Sequence, residues 1–374
     1  MRIVRIANFV APKSGGLKTA LRHLGAGYEA AGHEAVLVIP GEKESDEVTE
    51  QGRVVTLAGP HVPFMGGYRI LLDRRRTARA LQALQPDRIE ISDRTSLRWL
   101  GRWAGKAGVP SMMVSHESLD GLLRLFGPAS GRRIADVLNR RTAADHDRVV
   151  CTTQWAAAEF ERIGATNVRR VPLGVDLARF SADHRDPAMR ARWATPDDVL
   201  LLHCGRLSPE KKPRRSLAAL AALRQSGVRA VLVVAGAGPL RHSLQEEAAE
   251  RGLPVRFLGH LTDPRELAAL LATVDVAIAP GPVETFGLAA LEALASGTPV
   301  VVSSESALPE VIGDAGLAAD GDGPDYAEAI REIMAGPEDV RRAAARRQAE
   351  KFPWSASVAG FLAAHEVAPV RVGS

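Results

Sequence analysis

The sequence predicts an α/β protein of two Rossmann-like parallel-sheet domains facing a cleft. Three observations predict it. Short apolar, strand-like runs alternate with amphipathic helical stretches from end to end, the pattern of parallel sheets covered by helices on both faces. The alternation restarts near Val199, after a polar segment, 176–198, that carries Pro187 and Pro196. The length, 374 residues, exceeds one ordinary domain and suits two.

In order, the first series of strand runs is 2–9, 35–39, 88–91, 111–115, 148–151 and 168–171. The second is 199–204, 230–235, 255–258, 274–279 and 299–303, with amphipathic stretches such as 17–31 and 216–225 between strands. These give an N-terminal domain, 1–185, and a C-terminal domain, 186–354. In such sheets ligands lie beyond the carboxyl ends of the strands, so chemistry is sought in the loops that follow them.

Composition narrows the class. Hydrophobic residues at 46% and charged residues at 25% are those of a soluble globular protein, and no apolar run reaches the ~18 residues of a spanning helix. The opening residues, with Arg2 and Arg5 among apolar ones and then Pro12 and Lys13, read as a first strand and loop, not a signal peptide. Cys151 and Cys204 make neither a disulfide framework nor a zinc spacing, so a reducing, cytoplasmic compartment is expected. Between Arg69 and Lys106 lie ten Lys/Arg against four Asp/Glu, either a solvated helix face or a patch for an anionic surface. Stacking aromatics are too few there for a nucleic-acid binder.

The most informative stretch runs from Ala279 to Pro299. A strand run ends at Ala279, a Pro/Gly loop carries Glu284, and a helix starts near Gly287 and stops at Gly297. From Thr285 to Ser303 the only ionisable side chain is Glu292, set among Ala and Leu. A carboxylate there is costly unless it meets donors or cations. The helix start offers the amides of Phe286, Gly287 and Leu288 to an anion such as a diphosphate. Glu292 is placed to accept from ribose hydroxyls and Glu284 from sugar hydroxyls; the plainer alternatives are a helix-dipole partner and a structural ion pair.

Three further loops follow strand runs. Gly205, Arg206 and Lys211 put two cations at a strand's carboxyl edge, suited to phosphate oxygens. Gly15 and Gly16 follow the first run and permit close backbone approach. His116 ends the run 111–115 and is followed by Glu117. The glycines at 236 and 238 mimic a dinucleotide fingerprint, but Arg241 replaces its third glycine. The triplets Asp145–Asp147 and Asp320–Asp322 read as turn or capping chemistry, so no metal is expected.

Two glutamates with seven residues between them, the first followed by Thr285, Phe286 and Gly287, resemble the signature of the GT4 retaining glycosyltransferases, which have the GT-B fold. The resemblance covers essentially the whole chain. It implies that Glu284 contacts the transferred sugar, Phe286–Leu288 meet sugar and phosphate through their backbone, Glu292 holds the ribose, and Arg206 and Lys211 clamp the diphosphate. It also places Gly15 and Gly16 beside the donor phosphate and His116 against the sugar, and implies that the apolar helix 355–368, after Phe352 and Trp354, crosses back to the first domain within a C-terminal segment, 355–374.

A GT-B first domain usually selects the acceptor, which here points to Tyr68 and Arg69, in the segment from His61 to Arg69, and to a basic amphipathic helix beginning with Arg74, Arg75 and Arg76. With Asp93, Arg94 and Thr153, the motifs look most similar to actinobacterial members that use GDP-mannose to extend a phosphatidylinositol dimannoside. The implied co-substrate is a nucleotide sugar, GDP-mannose, with no other cofactor. The implied partner is a lipid acceptor, and the implied place is peripheral, on the inner face of the plasma membrane. Transfer of a UDP- or GDP-sugar to a soluble acceptor, and nucleotide-sugar binding without turnover, stand as alternatives.

Overall fold

The computed structural model describes residues 1–10, 15–62, 67–126 and 131–366. Residues 1–174 and 354–374 form one compact unit and 175–353 the other.

The first unit is built on strands β1 (Arg2–Ile6), β2 (Glu34–Gly41), β3 (Ser45–Thr49), β4 (Gly52–Ala58), β5 (Arg88–Ile91), β6 (Ser111–Ser115), β7 (Arg148–Cys151) and β8 (Val168–Arg170). Their order across the sheet is β3-β4-β2-β1-β5-β6-β7-β8. All neighbours are parallel except β3 and β4. That hairpin departs from the expected wholly parallel sheet. β3 reads Ser-Asp-Glu-Val-Thr and is almost wholly exposed, so it lacks the apolar run that marks a buried strand.

Strand alternation decides which helices cover which face. Val4 and Ile6 of β1 pack with Leu81 and Leu84 of the helix Arg74–Leu84 and Leu100 and Ala104 of the helix Trp99–Ala107. Arg5 points the other way, to the helix Gly16–Ala30, where it donates to the Leu21 carbonyl and lies 5.7 Å from the Tyr28 ring centroid. Tyr28 donates to Glu90 Oε2 at 2.9 Å, and His365 Nε2 lies 3.3 Å from the same oxygen. His365 belongs to the helix Trp354–Glu366, so this buried cluster fastens the end of the chain to the first unit. Trp354 stacks on His23 at 4.5 Å. Residues 367–368 of the expected helix lie outside the described residues.

The second unit contains β9 (Val199–Cys204), β10 (Ala230–Ala235), β11 (Val255–Gly259), β12 (Val276–Ala279), β13 (Val300–Ser303) and β14 (Gly316–Ala319), in the order β11-β10-β9-β12-β13-β14 and all parallel. Leu201, Leu232, Val234, Val276, Ile278 and Val301 form its core with Leu217, Leu220 and Tyr326 from covering helices. Burying each such leucine contributes about 1.5–3 kcal/mol.

The units divide at Gly174, eleven residues before the expected boundary at 185. Backbone contacts explain it: Val175 N donates to the Phe352 carbonyl at 2.9 Å, and Arg346 Nη1 donates to the carbonyls of Leu177 and Phe180 at 3.2 and 2.7 Å. Among the described residues no helix is long and apolar enough to cross a membrane.

Candidate active site

In the second sheet β9 leads to β10 on one side, while β12 leads to β13 on the other. The chain therefore reverses its winding direction between β9 and β12, the switch point at which open α/β sheets bind ligands. The loops after these two strands carry Arg206 and Lys211, and Glu284.

The backbone fixes both loops. After β9, Gly205 N donates to the Ala235 carbonyl and Leu207 N to the Ala237 carbonyl, each at 3.0 Å. A Cβ at Gly236 would stand 1.8 Å from the Gly205 carbonyl oxygen, so the glycine pair at 236 and 238 serves loop-to-loop packing. A 3₁₀ turn, Pro209–Lys211, then brings the Lys211 ammonium onto the Glu284 carboxylate, to which it donates. The ammonium expected to clamp a diphosphate is thus engaged by a carboxylate. Arg206 is half-buried in the same loop.

After β12 the helix Leu288–Ala295 begins, with Gly287 as its N-cap at φ 74°. A Cβ at Gly287 would lie 2.1 Å from the Leu308 side chain, so glycine is required on two counts. The loop is braced where Ala307 N donates to the Glu284 carbonyl at 2.9 Å. Phe286 is buried, edge-to-face with Phe352 at 6.0 Å, and Leu288 is buried too. Their side chains belong to the core. Glu292 lies further along the helix, its carboxyl pushed up to about 7 by burial, with Arg179 opposing that rise. Burial, and then the Glu292 charge, push the neighbouring Cys204 thiol up to about 12.

His203, in β9, escaped the sequence reading. Its Nδ1 lies 2.9 Å from Ser216 Oγ and its buried Nε2 has no hydrogen-bond partner among the described residues. Burial, followed by the Lys211 charge, lowers it to about 4, so it is neutral at physiological pH. Its place beside the Gly205–Arg206 turn was the available signal.

In the first unit the winding reverses between β1 and β5. Gly15 caps the helix that Gly16 begins; residues 12–14 of that loop, and 63–66 of the segment before Tyr68, lie outside the described residues. Tyr68 meets Phe9 edge-to-face at 6.3 Å, and Phe9, just past β1, has φ 56°. A bulky side chain in the left-handed region marks a strained position. Arg69 donates to the Gly59 carbonyl at 2.7 Å and Leu71 N to Asn8 Oδ1 at 2.8 Å, which tether this segment near the end of β1.

His116 follows β6, its Nε2 3.2 Å from Ser92 Oγ, and burial lowers it to about 4. Arg94 is buried beneath, pairing with Glu159 Oε2 at 3.2 Å, donating to Asn139 Oδ1 at 3.2 Å and lying 5.4 Å from the Phe160 ring centroid. Sequence reading noted Asp93 and Arg94 only as a motif and gave Glu117 no role. Asp322 is a capping-box residue of the helix Gly323–Ala335. Asp147 lies in the bend before β7 and accepts from Ser111 N at 2.8 Å at the start of β6.

Residues 186–352 match the family described as Glycosyl transferases group 1, and 15–174 match the Glycosyl transferase 4-like domain. The chain is 51% identical over 367 residues to a GDP-mannose-dependent alpha-(1-6)-phosphatidylinositol dimannoside mannosyltransferase of Mycobacterium tuberculosis, covering 97% of this chain and 95% of that one. It is 36% identical over 289 residues to a D-inositol 3-phosphate glycosyltransferase of Geodermatophilus obscurus, covering 72% and 63%. Among solved structures, a sucrose-phosphate synthase from Thermosynechococcus elongatus superposes with a TM-score of 0.78 at 22% identity, covering 97% of each chain. Anabaena HepE in complex with UDP-glucose gives 0.74 at 17%, covering 97% and 99%. With both domain families matched and identity sustained along its length, the chain belongs to the GT4-type glycosyltransferases and is an enzyme of the GT-B fold.

Proposed function

We propose that this glycosyltransferase moves mannose, with retention of configuration, from GDP-mannose to a phosphatidylinositol mannoside-type lipid. The observation that carries the reading is the 51% identity, over 97% of the chain, to a protein so described. In the second unit Glu284 takes hydroxyls of the transferred sugar and Glu292 the ribose. Arg206, Lys211 and the amides of Phe286, Gly287 and Leu288 take the charge of the departing diphosphate. These groups serve as the electrostatic sink, so the reading invokes no metal and no cofactor besides the nucleotide sugar. As the glycosidic bond breaks, a departing phosphate oxygen removes the proton of the incoming hydroxyl on the same face. The resemblance to the GT4 family supports donor-side roles for Gly15, Gly16 and His116 of the first unit, and an acceptor role for Tyr68 and Arg69.

A lipid acceptor calls for work at an anionic surface. Arg74, Arg75 and Arg76 occupy the first turn of their helix, where its dipole disfavours cations by about 0.3–1 kcal/mol each. Asp73 offsets part of this as the N-cap. Arg76 is engaged by Glu44 and the Ala58 carbonyl, and Arg74 lies 5.7 Å over the Trp99 ring; Arg74 and Arg75 are both exposed, beside the exposed Leu72. The helix Gly131–Asp145 adds exposed Arg133, Arg140 and Arg141 around exposed Ile134 and Val137.

The test is a thermal-shift panel of UDP- and GDP-sugars, followed by transfer assays on anionic liposomes carrying a phosphatidylinositol mannoside. GDP-mannose is expected to give the largest shift and mannose to appear on the lipid. A preference for a UDP-sugar, or transfer only to a soluble inositol phosphate, overturns the reading. Failure to bind acceptor-free anionic liposomes overturns the membrane assignment alone, and binding that survives changing Arg74, Arg75, Arg133, Arg140 and Arg141 to Glu overturns the assignment of these arginines to it.

A further inference from the structure

Glu117 combines a fixed backbone with a carboxylate that keeps acceptor capacity to spare. Its carbonyl accepts from Ser115 Oγ at 3.2 Å and from Arg94 Nη2, which fixes the residue at the carboxyl edge of β6. Among the described residues the one hydrogen-bond donor to its carboxylate is the Arg94 backbone amide. The nearest cation, Arg94 Nε, stands 3.8 Å away, and that guanidinium is directed to Glu159 and Asn139. The Glu117 side chain is 29% exposed, against 5% for Glu159. A mostly buried carboxylate with a single backbone donor is costly, and the open edge is where further donors can arrive.

The surrounding charge says which donors. Asp93, from the loop after β5, and Glu159, from the helix Gln154–Glu161, both face Glu117 with Arg94; His116, next to it, is neutral. Three carboxylates around one arginine repel a phosphate and admit a neutral hydroxyl. A sugar diol meets that requirement; a diphosphate does not.

We propose that Glu117 is a substrate-binding residue whose carboxylate accepts a hydrogen bond from a hydroxyl of the acceptor sugar. The proposal rests on the reading of the enzyme as a glycosyltransferase with a sugar-bearing acceptor. Burial, opposed by Arg94 and reinforced by Asp93 and Glu159, also raises this carboxyl to about 7, so its hydrogen-bonding capacity changes near neutral pH.

The experiment compares the full-length wild type with Glu117→Ala and Glu117→Gln. Donor affinity is measured by titration with GDP-mannose, and acceptor kinetics with a phosphatidylinositol mannoside in mixed micelles. Donor Kd is expected to stay within twofold, while the acceptor KM of Glu117→Ala rises at least tenfold. The acid limb near pH 7 in the wild type's acceptor kcat/KM should vanish in Glu117→Gln, a change that misfolding alone does not produce. If Glu117→Ala does not fold, Glu117→Gln decides by that limb. An acceptor KM within twofold of wild type, or an acid limb retained in Glu117→Gln, overturns the proposal. If the wild type uses a different sugar acceptor, the mannoside reading falls and Glu117 is judged on that acceptor by the same two measurements.

Discussion

Glu117 in the first unit and Glu292 in the second are both partly open carboxyls that burial pushes up to about 7, yet their surroundings are built in opposite ways. Glu292 lies on a helix of alanine and leucine, with Arg179 as the opposing charge, and Arg179 is itself 38% exposed and within 3.7 Å of Asp176. Glu117 sits over a buried arginine that also pairs with Glu159, with Asp93 facing the same carboxyl. One environment is apolar by composition; the other is an ionic cluster assembled by folding. The difference teaches that a similar titration point can rest on very different structural investment.

Four measurements break or sharpen the comparison. The largest effect is expected at Arg94. Replacing it with Met strands Glu159 as a buried charge, and stability should fall by about 3–5 kcal/mol in denaturant titration. A loss under 1 kcal/mol would deny the cluster its structural role. Next comes Glu284→Gln, which keeps the fold but removes the negative partner of Lys211; turnover should fall at least about a hundredfold, or ~2.7 kcal/mol, and Arg206→Ala similarly. Near-normal activity in either would remove the donor assignment from the second switch point.

The third effect depends on pH. A carboxyl raised from 4.5 to about 7 lets the folded chain bind a proton that the unfolded chain releases, so its stabilising contribution is present below 4.5 and lost as pH rises through 7. Glu292→Gln should therefore be more stable than wild type at pH 8, by about 1–2 kcal/mol, and indistinguishable near pH 4.5. His116 and His203, lowered from 6.5 to about 4, act in the reverse sense: their contribution is lost as pH falls from 6.5 to 4. The opposed pairs flatten the wild-type profile, which is why the variant is needed to expose one side. Smallest is Arg179→Met, whose exposed ion pair should cost under about 1 kcal/mol; a loss as large as that of Arg94→Met would erase the contrast.

These contrasts also explain what could be read from the chain alone. The strands β9, β10, β12 and β13 are continuous apolar runs, and Glu292 stands out as a charge among alanines and leucines, so the fold of the second unit and its glutamates were legible. β3 was not, because an exposed edge strand of charged residues carries no period-two signal. Nor was the Glu117 cluster: Arg94 and Glu159 stand 65 positions apart and meet only through tertiary packing. His203 and Lys211 are near in sequence, but the electrostatic relation between them depends on how the turn after β9 folds back.

The docked C-terminal helix has a consequence for how the chain is made. Glu90 of the first sheet is completed by His365, with the whole of 175–353 lying between them in sequence. On the ribosome, the second unit can emerge and close upon itself, its ends joined where Val175 pairs with Pro353, before the first unit receives its final helix. The earlier-made half is therefore finished only after the later-made half has been synthesised, when the helix Trp354–Glu366 leaves the exit tunnel.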